Sequence, residues 1–287
     1  MIPRPDVFFL PAAGGEQRLC VFHAPSSAFE GTPRGKLLYL HPFAEEMNKS
    51  RRMAALACRA LVEAGYAVLQ IDLRGCGDSS ADFGEASWDD WLADVRLGLD
   101  WLDTQVPDAP LWLWGLRAGC LLATETLKTL NRPAHLLLVQ PPASGKPLLQ
   151  QFLRLKLAAD LAEGGGGKGL MAEMRAALSR GEAVEAAGYM LSSALALGLE
   201  GATLTPPSSP QPDSRVIWLE LSSRPDAEWT PVAQQAQKRW SDAGLPPTAE
   251  LLHGPAFWQT TEVEEAPALI EALQRLFGTA DAHREAS

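Results

Sequence analysis

Trp114-Gly115-Leu116-Arg117-Ala118-Gly119 sets two glycines around a central arginine. An apolar run, Leu111 to Trp114, precedes the turn, and a helical pattern, Cys120 to Ala123, follows it. Strand, tight glycine turn and helix is the setting in which a central serine becomes an exposed nucleophile, with amides at the helix start to receive an oxyanion. The glycines let the chain turn sharply and let the helix pack close to neighbouring strands. At this apex stands Arg117, whose guanidinium stays protonated and cannot attack an acyl carbon. The pattern predicts a scaffold for acyl transfer that lacks its usual reagent.

Acyl transfer also needs a base and an acid that orients it. Ser222-Ser223-Arg224-Pro225-Asp226 follows the apolar run Val216 to Leu221, and Pro231 lies beyond it, which puts Asp226 at the acid station. As a loop acid, Asp226 suits capping the next helix equally well. The base station comes after a strand ending near Leu252, where Gly254-Pro255-Ala256-Phe257-Trp258 places Phe257 in the simplest register for the histidine. His253, just upstream, reaches inward only if the loop shifts. His41-Pro42-Phe43 follows another buried strand, so the amides near Phe43 and Ala118 are the candidates for holding an oxyanion. Cys120 lies about one helical turn beyond Arg117 and reads as a core thiol rather than a substitute nucleophile. Ser79 and Ser80 read as loop serines that bond backbone.

An arginine at the apex has two other uses. With the amides of the helix that begins at Ala118, it favours an anion such as a carboxylate or phosphate. It can instead form an internal ion pair, with Asp226, Glu45 or Glu46 as partners, because an unpaired buried arginine is costly. Both hold if a ligand displaces or bridges the pair. The basic residues Lys146, Arg154 and Lys156 read as a solvated helix face that can also attract an acidic ligand.

Around these residues the chain alternates strand and helix. Strands are expected at Val7 to Leu10, Gln17 to His23, Lys36 to Leu40, Tyr66 to Ile71, Leu111 to Trp114, Ala134 to Val139, Val216 to Leu219 and Ala249 to Leu252. Helices are expected at Arg51 to Ala64, ended by Gly65, and at Trp88 to Leu102, Pro231 to Ala243 and Ala266 to Phe277. The rhythm implies a doubly wound, mostly parallel sheet. Asp72-Leu73-Arg74-Gly75-Cys76-Gly77-Asp78-Ser79 resembles the D-x-R-G-x-G-x-S turn of α/β-hydrolases, and the whole reading is an α/β-hydrolase fold. Residues 1–140 and 214–287 form its core, and 141–213, helical with loops and a flexible Gly164 to Gly167, form an inserted helical cap. The polar stretch Gly278 to Ser287 is expected to fray.

The chain has 287 residues, enough for such a domain with its insertion. A net charge of −10 argues against nucleic acid as the main partner. The four cysteines are scattered and, with the five histidines, show no metal-ligand spacing, so no metal or cofactor is expected. The first residues lack the features of a secretory signal, and no apolar run is long enough for a membrane span. A cytoplasmic protein is expected.

Four segments together resemble the exosortase A system-associated hydrolase 2 family: His41 to Arg52, Trp112 to Gly119, Gln150 to Lys156 and Gly254 to Thr260. The resemblance implies the α/β-hydrolase fold, a bacterial origin, an arginine in the elbow, and a link to the exosortase and PEP-CTERM sorting system with its exopolysaccharide genes. Two functions follow as expectations. One is a protein with a degenerate triad that binds a small anionic or acyl ligand, or a partner protein of that system. The other is an active hydrolase or acyltransferase on an ester or thioester, with Asp226 and His253 assisting water or a substitute nucleophile.

Overall fold

Eight strands form one twisted sheet in the computed structural model, which describes residues 3–26, 32–162, 167, 169–209 and 213–278. An antiparallel pair, β1 (Asp6–Pro11) and β2 (Gln17–His23), leads into β4 (Tyr66–Ile71), to which β2 is also antiparallel. The remaining members, β3 (Gly35–Leu40), β5 (Leu111–Leu116), β6 (His135–Val139), β9 (Val216–Ser222) and β10 (Thr248–His253), run parallel. Their order is β1-β2-β4-β3-β5-β6-β9-β10. The central strands β3 and β5 are buried at every position, as their unbroken apolar text requires.

Helices cover both faces. Helix α1 (Glu45–Glu63) and α8 (Pro267–Gly278) share an apolar layer with Tyr39, Trp112, Trp114 and Phe257. Helix α2 (Trp88–Gln105), α3 (Ala118–Thr129) and α7 (Pro231–Asp242) pack on the other face. Local chemistry sets their ends. Ser87 and Asp90 form a reciprocal cap on α2, and Thr230 with Pro231 opens α7. Gly65, at φ 90°, ends α1 where the sequence places the stop.

Helix α1 begins at Glu45, one and a half turns ahead of the expected start at Arg51. Asn48, Lys49 and Ser50 break the apolar periodicity there, while Glu45 and Glu46 suit the positive end of a helix. The shift puts both glutamates on a rigid element.

Between β6 and β9 the chain leaves the sheet. It forms α4 (Gly145–Ala162), α5 (Leu170–Ser179), a hairpin of β7 (Val184–Ala186) and β8 (Tyr189–Leu191), and α6 (Ser193–Gly201). The hairpin adds strands to a stretch read as helical. Three-residue strands carry no detectable period, and only the positive φ of Ala187 and Gly188 marks its turn. The outgoing and returning segments lie side by side, with Gly145 N–H bonded to Ala202 O (3.0 Å) and Leu204 N–H to Ala143 O (3.1 Å). Gly164 to Gly166 and the stretch after Gly278 lie outside the described residues.

Candidate functional site

Arg117 stands between β5 and α3 with φ 55° and ψ −117°, a conformation that costs a non-glycine residue about 1–3 kcal/mol. Packing enforces it. A Cβ on Gly115 would lie 2.4 Å from Cys120 N, and one on Gly119 would lie 2.0 Å from Leu40 O. The sharp turn therefore exists only because both positions are glycine. Ala44, the residue before α1, holds a similar strained geometry at φ 49° and ψ −123°. Both strained residues follow the carboxyl end of a parallel strand, where open α/β sheets place their ligands.

The Arg117 guanidinium is already engaged. Its Nε donates to Glu46 Oε1 and Oε2 at 3.3 and 3.2 Å, and Nη2 donates to Oε1 at 3.0 Å. Nη2 also donates to Gln151 Oε1 at 3.1 Å, while Gln151 Nε2 donates to Glu46 Oε1 at 3.4 Å. The Trp258 ring covers the group, its centroid 5.6 Å from Arg117 Cζ. Arg117 and Glu46 side chains keep only 11% and 5% of their exposure, so this pair is shielded from water and salt. One closed network thus ties α1, the elbow, α4 and the loop after β10.

Of the three partners read for Arg117, the structure selects Glu46. Glu45 lies beside it, and burial pushes its carboxyl above the usual range, with Glu46 adding like-charge repulsion. Asp226 and His253 are exposed, and neither side chain makes a hydrogen bond or ion pair among the described residues. His253 pairs in register with Ser222 at the sheet edge, and nothing joins it to Asp226 or Arg117. Phe257 is 1% exposed and packs in the core, so Trp258, one residue later, is the ring that meets the apex.

His41 is buried, and the backbone uses both its ring nitrogens. Leu73 N–H donates to Nε2 at 3.3 Å, so the proton sits on Nδ1 and is donated to Pro42 O at 2.8 Å. Burial lowers its basicity further. His41 therefore ties the loop after β3 to the loop after β4 as a neutral ring. Phe43, next along, packs against Phe83, Trp91 and Phe152. Ala118 opens α3, and in this first turn Cys120 N–H bonds Arg117 O at 3.0 Å.

The bland readings hold for the other candidates. Cys120 Sγ bonds Gly115 O at 3.1 Å, and burial raises its thiol far above neutrality. Ser79 Oγ accepts from Leu19 N–H, and Ser80 Oγ from Gln17 N–H, both at 2.9 Å. In the same turn, Arg74 pairs with Glu16 and Asp72 with Arg51. Among the described residues no His, Cys, Asp and Glu group could hold a metal, and no helix is long and apolar enough to cross a membrane.

Little space remains above the apex. Phe43, Glu45, Glu46, Leu148, Gln151 and Phe152 enclose a cavity of about 10 Å³, room for one water-sized group. Gln151 and Phe152 belong to α4, so the excursion from the sheet supplies two walls of this cavity.

A mostly parallel sheet in this order, flanked by helices and carrying a strained strand-turn-helix apex, defines an α/β-hydrolase fold, and that is the fold of this chain. A model of the serine aminopeptidase S33 family matches residues 31–164. An uncharacterized protein of Rickettsia prowazekii is 29% identical over 133 residues, 43% of this chain; the match spans 55%, little more than half, of that protein's length. The ferulic acid-bound structure of Est1E from Butyrivibrio proteoclasticus superposes with a TM-score of 0.66 at 14% identity, covering 94% of this chain and 97% of that one. A thermostable carboxyl esterase from Bacillus coagulans, solved with glycerol, gives 0.61 at 12% identity, covering 96% and 97%.

Proposed function

We propose that this protein uses the α/β-hydrolase scaffold to bind a ligand and not to form an acyl-enzyme. Arg117 replaces the nucleophile as an ionic anchor, and residues 141–213 act as a cap whose helix α4 sits over it. The observation that carries this reading is the closed network of Arg117, Glu46 and Gln151 beneath Trp258. When the cap lifts, an acidic or acyl group of a small ligand takes a place beside Arg117 and the amides near Phe43 and Ala118. An acidic group would compete with Glu46 for the guanidinium, an exchange of one charge-assisted pair for another.

The link to the exosortase system and exopolysaccharide genes belongs to this proposal. Its support is spatial: the four segments that carry the resemblance each contribute one member of the network, Glu46, Arg117, Gln151 and Trp258. Residues scattered along the chain meet at one point because that point has a role.

Ligand-dependent thermal shifts with inorganic phosphate and with benzoate test the reading. The parent should be stabilised and Arg117→Ala should not. Equal shifts in the two proteins would remove Arg117 as the anchor.

A second reading, hydrolysis or acyl transfer on an ester or thioester, draws on the retained elbow geometry and on the carboxyl esterase among the structural neighbours. It requires Asp226 and His253 to move in from exposed positions and to act on water.

A further inference from the structure

Strand β1 ends the sheet on one side, and the hydrogen-bond phase of its outer edge can be read from its neighbours. Asp72 N–H donates to Leu19 O at 2.9 Å in line with the β2–β4 register, so the odd-numbered residues of β2 serve β4. Antiparallel partners alternate, so Arg18, Cys20 and Phe22 serve β1, where they face Leu10, Phe8 and Asp6. Ala12 N–H, bonded to Glu16 O at 2.8 Å, continues that phase. Val7 and Phe9 therefore turn their amides and carbonyls outward. Pro5 and Pro11 fall in the same alternation and bring no N–H, so the open edge is a short window bracketed by prolines.

The side chains in this window are open as well. Val7 is 64% exposed and Phe9 50%. They stand beside Val21 and Leu19 of β2, which share a cavity with Met47, Arg51 and Ala54, so this apolar row lies on the α1 face of the sheet. On the other face Phe8 packs against Trp101, their ring centroids 4.7 Å apart. Residues 7–10 carry no charge, and β1 pairs with β2 without a bulge. The devices that discourage strand addition are thus confined to the two prolines.

The pattern of the strand says what fits it. Pro5, Val7, Phe9 and Pro11 read as proline, apolar, apolar, proline in either direction. Laid antiparallel on a second copy about Phe8, the strand sets Val7 against Phe9 twice, each pair exchanging N–H and C=O, while proline meets proline. Every row across the junction then runs Val21, Val7, Phe9, Leu19, an unbroken apolar stripe. Phe8 meets Phe8 on the opposite face, with a Trp101 ring behind each.

We propose that β1 is a self-association edge, through which two copies of this chain pair antiparallel by Val7 and Phe9 and join their sheets. The contact is two-fold and closes on itself, since each copy spends its β1 edge in making it. It is apolar rather than ionic, because each copy carries a net charge of −10 and like charges oppose the approach.

Sedimentation equilibrium on the whole chain over a wide concentration range tests the assignment. The parent should pass from monomer to dimer, and added salt should tighten the dimer by screening the repulsion. Phe9→Lys should weaken it about tenfold, because two cross-strand pairs are lost at once, while its melting temperature stays near that of the parent. Val232→Lys, at an exposed apolar position on α7, should dimerise like the parent. Phe8→Cys reads the register. Its Cα atoms would lie about 4.5 Å apart across the junction, within disulfide reach, so mild oxidation should cross-link it and not Leu10→Cys, which would face Asp6. A monomer at every concentration, a dimer equally strong in Phe9→Lys, dissociation by salt, or cross-linking of Leu10→Cys in place of Phe8→Cys would overturn the assignment.

Discussion

Replacing Glu46 by glutamine removes one charge from the apex while keeping the shape of the side chain. The partner left behind, Arg117, is 11% exposed. Stripping one member from a buried ion pair costs about 3–5 kcal/mol. Gln151 still accepts from Nη2 and Trp258 still covers the guanidinium, which together recover roughly 1–2 kcal/mol. The net loss should be about 1–4 kcal/mol, or roughly 2–15 °C in melting temperature for a domain of this size. Urea unfolding followed by the fluorescence of the nine tryptophans measures it. A double replacement, Glu46→Met with Arg117→Met, removes both charges and should return to within about 1 kcal/mol of the parent, because apolar groups often replace a buried pair at little cost. A loss below about 0.5 kcal/mol in Glu46→Gln would mean the pair behaves as a solvated surface contact, and the anchor would be refuted.

Further predictions concern the groups around the anchor. Glu45→Gln should be more stable than the parent at neutral pH: a carboxyl whose folded pKa is raised costs stability as pH climbs above the unfolded value, so the difference should grow through that window and vanish in acid; a variant less stable at neutral pH would contradict it. The four thiols are buried, so native protein should show no fast-reacting thiol with Ellman's reagent and four after denaturation; one rapid equivalent without denaturant would reopen Cys120 as a reagent. Gly119→Ala should lose most of its folded yield, since the new methyl would stand 2.0 Å from Leu40 O; normal yield and melting would show that the elbow can relax. Arg117→Ser should hydrolyse p-nitrophenyl acetate no faster than the parent, because among the described residues no histidine side chain meets the apex to activate the hydroxyl; a large gain would place a base there.

The fold was readable because its signals are local. Unbroken apolar runs marked β3, β4 and β5, and the glycines of the elbow and of the turn after β4 fixed the connections. The start of α1 was hidden because Asn48, Lys49 and Ser50 interrupt the apolar stripe. The β7–β8 hairpin was hidden because strands so short have no alternation to read. At the site, arginine at the apex was plain from the text, and Glu46 stood among three possible partners. Choosing it required knowing that α1 carries it inward while Asp226 ends up exposed. Gln151 and Trp258 were not assigned in advance, since their meeting with Arg117 depends on how α4 and the loop after β10 cross the strand ends. The signal that could have found them is membership of the four segments that carry the family resemblance, since each lies in one of them.

The central claim is that no side chain at this apex becomes acylated or phosphonylated. Incubation of the native protein with a fluorophosphonate, followed by intact-mass measurement, tests it directly. The account predicts an unchanged mass under conditions that label an active esterase to completion. A stoichiometric adduct that maps to the cavity lined by Phe43, Glu46 and Gln151 would contradict it.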